Sequence, residues 1–382
     1  MDTAPGSAPA LHPGDRRAID ASGLDLLIGA LAADGYQVIG PVVHDGAIVY
    51  GEVRGLADLP TGWGDVQEPA SYRLRRRDDR AAFGYAVGPH SWKRYLFPPR
   101  SLLWRAQHSG DTVVIDEPDP SAAPRYAFLG VRGCELAAIR IQDRVFLGSG
   151  TVDPTYAARR EPAFIVAVHC STPAATCFCT SMGTGPAAGE GHDLALAEVV
   201  DGDDVTYVVE VGTQRGAAAL ARVPLRPATP ADDLGEAAMI DAAAAHIERH
   251  LAPDGLRELL AAKRDHPRWD DVADRCLACG NCTMVCPTCF CSTVEDTSSL
   301  DGSAAERWRR WDTCYALDFT HLPDGSVRNS TRSRYRQWLT HKLGTWIDQF
   351  GTSGCVGCGR CISWCPAGID LTEEIRALRE EA

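Results

Sequence analysis

Eleven of the fifteen cysteines in this 382-residue chain lie between Cys276 and Cys365, and eight of the eleven repeat one spacing. The first copy reads Cys276-x2-Cys279-x2-Cys282-x3-Cys286-Pro287 and the second Cys355-x2-Cys358-x2-Cys361-x3-Cys365-Pro366. Thiolates select soft metals, and this run of four is the pattern that wraps [4Fe–4S] cubes. Two intervening residues let the chain curl around a cube with its N–H groups free for the sulfurs. The proline after the fourth cysteine lacks an N–H and turns the chain away. Gly280, Gly357 and Gly359 permit close backbone approach. Zinc is the competing ligand, but zinc sites separate their cysteine pairs by a longer loop than either run contains.

The spacing resembles that of bacterial two-cluster ferredoxins, and by that analogy ligation crosses between the copies. Cluster I would take Cys276, Cys279, Cys282 and Cys365; cluster II would take Cys355, Cys358, Cys361 and Cys286. The 68 residues between the motifs (287–354) exceed a compact ferredoxin's connection and read as helical, which resembles the α-helical ferredoxin modules of larger complexes. Tyr335, Leu339, Leu343, Trp346 and Phe350 recur at helical spacing. Between Ser303 and Ile347 eight Arg or Lys stand against four acids, with Trp308, Trp311, Trp338 and Trp346 interleaved. Basic residues among aromatics suit single-stranded nucleic acid. In an acidic chain they better fit charge compensation for anionic cubes and core packing. Cys289, Cys291 and Cys314 are left over, and read as small core hydrophobes rather than an extra metal site or a redox thiol pair.

The four other cysteines pose a separate question. Cys134 follows the β-like run Ala127–Val131 and opens a helix, Cys170 follows the β-like run Phe164–Val168, and Cys177 and Cys179 come within nine residues. Strand ends and helix starts on one sheet edge converge, as ligand crevices in α/β domains do, and a helix N-terminus favours thiolates. Four cysteines match a third [4Fe–4S] cluster, with Gly183 and Gly185 letting the loop wrap it. Zinc and plain core packing both remain open, because Cys-x-Cys is a tight bite for two corners of one cube.

These sites need elements to carry them. The fold class expected is α+β: an N-terminal mixed α/β domain followed by a mainly helical two-cluster ferredoxin domain. Residues 1–19 read as a flexible tail, 20–230 as the mixed domain, 231–274 as a helical bridge broken at Pro253-Asp254-Gly255, and 275–382 as the dicluster domain. A helix is expected over Asp20–Gly35 and another over Glu135–Phe146. Strands are expected at Gln37–Val43, Ala47–Val53, Thr112–Ile115, Ala127–Val131, Phe164–Val168 and Val205–Val211. With 45% hydrophobic and 23% charged residues the chain reads as globular, and its net charge of −13 disfavours nucleic acid as a partner. The first twenty residues hold no apolar signal core and no run approaches 18 apolar residues, so a cytoplasmic protein is expected.

CLACGNCTMVCPTCFC, RYRQWLTHKLGTWIDQFG and GCVGCGRCISWCPAGIDLT, with SWKRYLFPPRSLLW, LGVRGCELAAIRIQDRVF and HCSTPAATCFCTSMGTGP, resemble the iron–sulfur β subunit of cytosolic NAD(P)-linked [NiFe] hydrogenases, or sulfhydrogenases. The A subunit of anaerobic sulfite reductases is similar. The resemblance spans most of residues 85–375. It implies a non-catalytic electron relay in a hetero-oligomer, between an FAD- and NAD(P)-binding subunit and the small and large hydrogenase subunits. An equivalent relay in a sulfite reductase is the alternative, and a standalone iron–sulfur sensor a more distant one. The chain itself shows no dinucleotide fingerprint or P-loop: the run Gly183–Gly189 lacks the spacing and the lysine. His169-Cys170 lacks the elbow of a hydrolase nucleophile.

Overall fold

The computed structural model describes residues 10–148 and 150–380. The strands that matter here are β1 (Arg16–Ile19), β2 (Gln37–His44), β3 (Ala47–Glu52), β4 (Trp63–Glu68), β5 (Ser71–Arg76), β6 (Arg100–Ser109), β7 (Thr112–Asp116), β8 (Tyr126–Val131), β9 (Phe164–Val168), β10 (Leu194–Asp201), β11 (Asp204–Val211), β12 (Arg226–Pro227), β13 (Ser292–Ser298) and β14 (Ala304–Trp311). An eight-stranded sheet runs in the order β12-β1-β11-β10-β9-β8-β2-β3. Its centre is parallel, β10 with β9, β9 with β8, and β8 with β2, while the flanks are antiparallel.

The alternating side-chain period splits each central strand between two cores. Phe164, Val166 and Val168 face Leu24, Leu27, Ile28 and Leu31 of the helix Ala21–Ala33. Ile165 and Ala167 face Trp92, Phe97, Leu136 and Ile139 on the other side. Asp20 caps the first of these helices by accepting from the Gly23 N–H at 2.8 Å, which is why it starts where the sequence pattern does.

Two expectations change. Of the expected tail, residues 1–9 lie outside the described residues, but Arg16–Ile19 is strand β1, paired with β11 and β12. Four residues alone carry too little pattern to read as a strand; the neighbouring strands supply the pairing. The segment after Cys291, expected to be helical, is instead the hairpin β13–β14. Its basic side chains alternate with aromatics, and β14 pairs with β6 in a second sheet, β13-β14-β6-β7. Strands from the two halves of the chain thus share one sheet. The helical bridge is present as Pro230–Ala245, Leu256–Ala262 and Arg268–Arg275. Buried Glu374 of the C-terminal helix takes Arg268 and Arg275, each at 2.6 Å. The long helix of the insert is also present, over Thr331–Phe350, with a π turn at His341–Thr345.

Candidate iron–sulfur centres

The first centre forms where the helix Arg268–Arg275 ends at Cys276 and the short helix Asn281–Met284 carries Cys282. Gly280 joins them at φ +72°, and a Cβ there would meet Thr313 Cγ2 at 2.8 Å. Cys276, Cys279 and Cys282 line a single cavity together with Cys361 and Cys365 from the second motif. Backbone N–H groups already point at the sulfurs: Ala278 donates to Cys276 Sγ and Ile369 to Cys365 Sγ, both at 3.4 Å. Burial pushes the Cys282 thiol up, and the neighbouring Cys276, Cys365 and Cys279 add to it. Such thiols ionise when a metal shares their charge. Tyr335 Oη and Trp338 Nε1, on the same cavity wall, are buried donors with no partner among the described residues. A sulfide-bearing cube supplies the acceptors they lack, so the donor set fits one.

The second centre mirrors it. Gly357 and Gly359, at φ +66° and +72°, shape the turn, and the Gly357 N–H donates to Cys355 Sγ at 3.4 Å. Burial raises the Cys361 thiol, with Cys355, Cys358, Cys286 and Cys282 adding to it, so Cys286 and Cys282 of the first motif both lie within electrostatic range of this centre. The Cys286 sulfur is set apart. A hydrogen bond from Cys289 holds it well below the usual thiol range, helped by Lys342, whose Nζ lies 3.2 Å away. Cys291 is likewise lowered, to about 7, by a hydrogen bond from Cys314.

Cys134, Cys177 and Cys179 meet in one apolar cluster with Val356 and partly buried Cys358. Cys170 lies beside them, since its charge and that of Cys179 add to the burial that raises the Cys177 thiol. Cys134 is the second residue of the helix Gly133–Phe146. A Cβ on Gly185 would meet Cys179 Sγ at 3.1 Å and the Cys134 nitrogen at 3.8 Å, so glycine keeps the two cysteines close. The Arg132 guanidinium is buried, donates to the carbonyls of His169, Phe83 and Tyr85, and has no carboxylate in ion-pair reach among the described residues. Buried Glu198 and Asp65 act on it electrostatically without forming an ion pair, and so does nearby Cys170.

This third neighbourhood shares a wall with the second centre. Phe178 N–H donates to the Gly357 carbonyl at 2.8 Å and Thr184 Oγ1 to the Val356 carbonyl at 2.6 Å. A Cβ on Gly359 would lie 2.4 Å from the Thr176 carbonyl oxygen. Gly359→Ala should therefore cost about 1–3 kcal/mol from the left-handed conformation alone, with the clash added. Thermal melts should show the loss, and iron should leave the second centre before the first.

Lys342 belongs to the basic stretch read as charge compensation, but sequence reading overlooked the other charged groups that hold these loops: Lys93, Arg132, Arg360 and Glu135. All five are buried.

The family model for the 4Fe-4S dicluster domain matches residues 275–369, which hold both cysteine motifs. Sulfhydrogenase 2 subunit beta of Pyrococcus furiosus is 31% identical over 330 residues, covering 85% of this chain and 94% of that protein. The chain belongs to the sulfhydrogenase β-subunit family. As an iron–sulfur member of that family it carries the dicluster domain behind a sheet-rich N-terminal region. No solved structure matches the chain. No described helix is long and apolar enough to cross a membrane.

Proposed function

We infer that this sulfhydrogenase β-type chain relays single electrons through three [4Fe–4S] clusters and performs no substrate chemistry itself. One observation carries the reading: Cys361 and Cys365 of the second motif line the cavity of Cys276, Cys279 and Cys282, so the two motifs meet there as crossed ligation requires. Cluster I would be held by Cys276, Cys279, Cys282 and Cys365, and cluster II by Cys355, Cys358, Cys361 and Cys286. Cys134, Cys170, Cys177 and Cys179 would hold the third, against the loop of cluster II. When bound, the cubes supply one-electron carriers. The protein's own groups direct backbone N–H groups at the sulfurs and place buried cations beside the second centre. The contact between the Cys177–Cys179 loop and the Gly357–Gly359 turn would make an uninterrupted wall between neighbouring carriers.

The partners proposed are an FAD- and NAD(P)-binding subunit at one end and the small and large subunits of a [NiFe] hydrogenase at the other, in a hetero-oligomer of the cytoplasm. The likeness to sulfhydrogenase 2 subunit beta supports this assignment. The full chain, reconstituted anaerobically, should bind about twelve irons and twelve acid-labile sulfides, and Cys134→Ser should lose about four of each. A full complement of about eight that Cys134→Ser leaves unchanged would remove the third cluster from the proposal. In the native complex, nickel should co-purify and NAD(P)-linked hydrogen turnover should need this chain; a sirohaem absorbance band instead would assign the relay to sulfite reduction.

A further inference from the structure

Lys342 stands in the π turn His341–Thr345 of the long insert helix and is almost fully buried. Its Nζ donates to three acceptors, each at 3.2 Å: Cys286 Sγ, Thr288 Oγ1 and the Gly354 carbonyl. None is a carboxylate, and among the described residues no Asp or Glu lies within ion-pair reach of Lys342 or of buried Lys93. The Lys342 backbone works on the same loop. Its carbonyl accepts from the Gly354 N–H at 2.8 Å, one residue before Cys355. A Cβ on Gly354 would sit 2.5 Å from the Trp346 ring and 3.0 Å from that carbonyl, so only glycine fits beneath the turn. π turns interrupt helices chiefly at functional sites. Here the turn sets one cation against a sulfur of the second centre and fastens the loop that carries three more.

A buried ammonium group without a carboxylate partner is costly. It becomes favourable beside a group that is negative and grows more negative on reduction. We propose that Lys342 is a positioning residue that raises the reduction potential of the cube held by Cys355, Cys358, Cys361 and Cys286, acting through Cys286. The argument rests on the cluster assignment above. Adding one electron to an anionic cube is easier beside a fixed positive charge, and in a dry interior the effect is little screened. Lys93 bonds the Cys289 carbonyl at 3.1 Å and lies 4.0 Å from the Trp311 ring centroid, so it adds to the same field without touching a ligand sulfur.

The test is a redox titration of the anaerobically reconstituted full chain, followed by electron paramagnetic resonance. The cube in question is the one whose signal Cys355→Ser removes. Lys342→Met should lower its midpoint so that, at a fixed potential, the ratio of reduced to oxidised cube falls at least tenfold, ~59 mV for one electron. The cube of Cys276 should shift less. Lys342→Gln and Lys342→Arg separate charge from packing should the methionine variant fail to hold iron: arginine must stay nearer wild type than glutamine. Full iron content with an unmoved midpoint, or equal midpoints for Arg and Gln, overturns the proposal while leaving the cluster assignment intact. Wild-type protein that binds no cube at Cys355 overturns the assignment itself.

Discussion

Cys365→Ser should strip about four irons from the reconstituted chain and remove the cube surrounded by Cys276, Cys279 and Cys282, not the one that its own motif begins. The expectation follows from the cavity that Cys365 and Cys361 share with the first three cysteines and from Cys286 lying within electrostatic range of Cys355, Cys358 and Cys361. Four single variants make the test decisive. Cys276→Ser and Cys365→Ser should leave the same residual spectrum, and Cys355→Ser and Cys286→Ser should leave the complementary one. Pairing by motif instead, with Cys365→Ser resembling Cys355→Ser, would refute crossed ligation. Iron and sulfide analysis on the same samples separates the loss of a cube from its conversion to another form.

Glu135→Gln should destabilise the protein by about 3–5 kcal/mol, the cost of leaving a buried charge without its partner. Glu135 and Arg360 are both essentially unexposed and 2.5 Å apart. The Arg360 guanidinium also donates to the Gly88 and His90 carbonyls at 2.8 and 2.9 Å. The other Glu135 oxygen accepts from Tyr50 Oη at 2.6 Å and Trp92 Nε1 at 3.0 Å. Arg360 lies between Cys358 and Cys361, so this one carboxylate ties the second motif to the N-terminal sheet and to the helix that Cys134 opens. Urea denaturation under anaerobic conditions gives the size of the loss. Replacing the pair together, Glu135→Leu with Arg360→Met, should cost less than Glu135→Gln alone, because no unpaired charge remains. A double variant as unstable as the sum of the two singles would show that the pair is not coupled.

Local pattern was enough wherever the physics is local. The two cysteine runs with their prolines and glycines are short contiguous motifs, and they name the metal chemistry and the dicluster domain. The strand Phe164–Val168 and the helix start at Asp20 are equally legible, since a continuous apolar run and an N-cap act over a few residues. The hairpin β13–β14 was not legible. Its alternation of arginine and tryptophan is stabilised by β6, nearly two hundred residues away, and without that partner strand the segment has no reason to be extended. Strand β1 was hidden for the same reason, because its four residues are ordered by β11 and β12. The buried charges belong to the same class. Lys342, Arg132, Arg360 and Glu135 look like ordinary surface residues in the sequence, since the desolvation that makes them consequential exists only after folding. The sequence by itself determined which thiols are available and at what spacing. Tertiary structure decided which of them face one another and which cations lie beside them, because those contacts join segments that only the packed sheet and helices bring within a few ångströms.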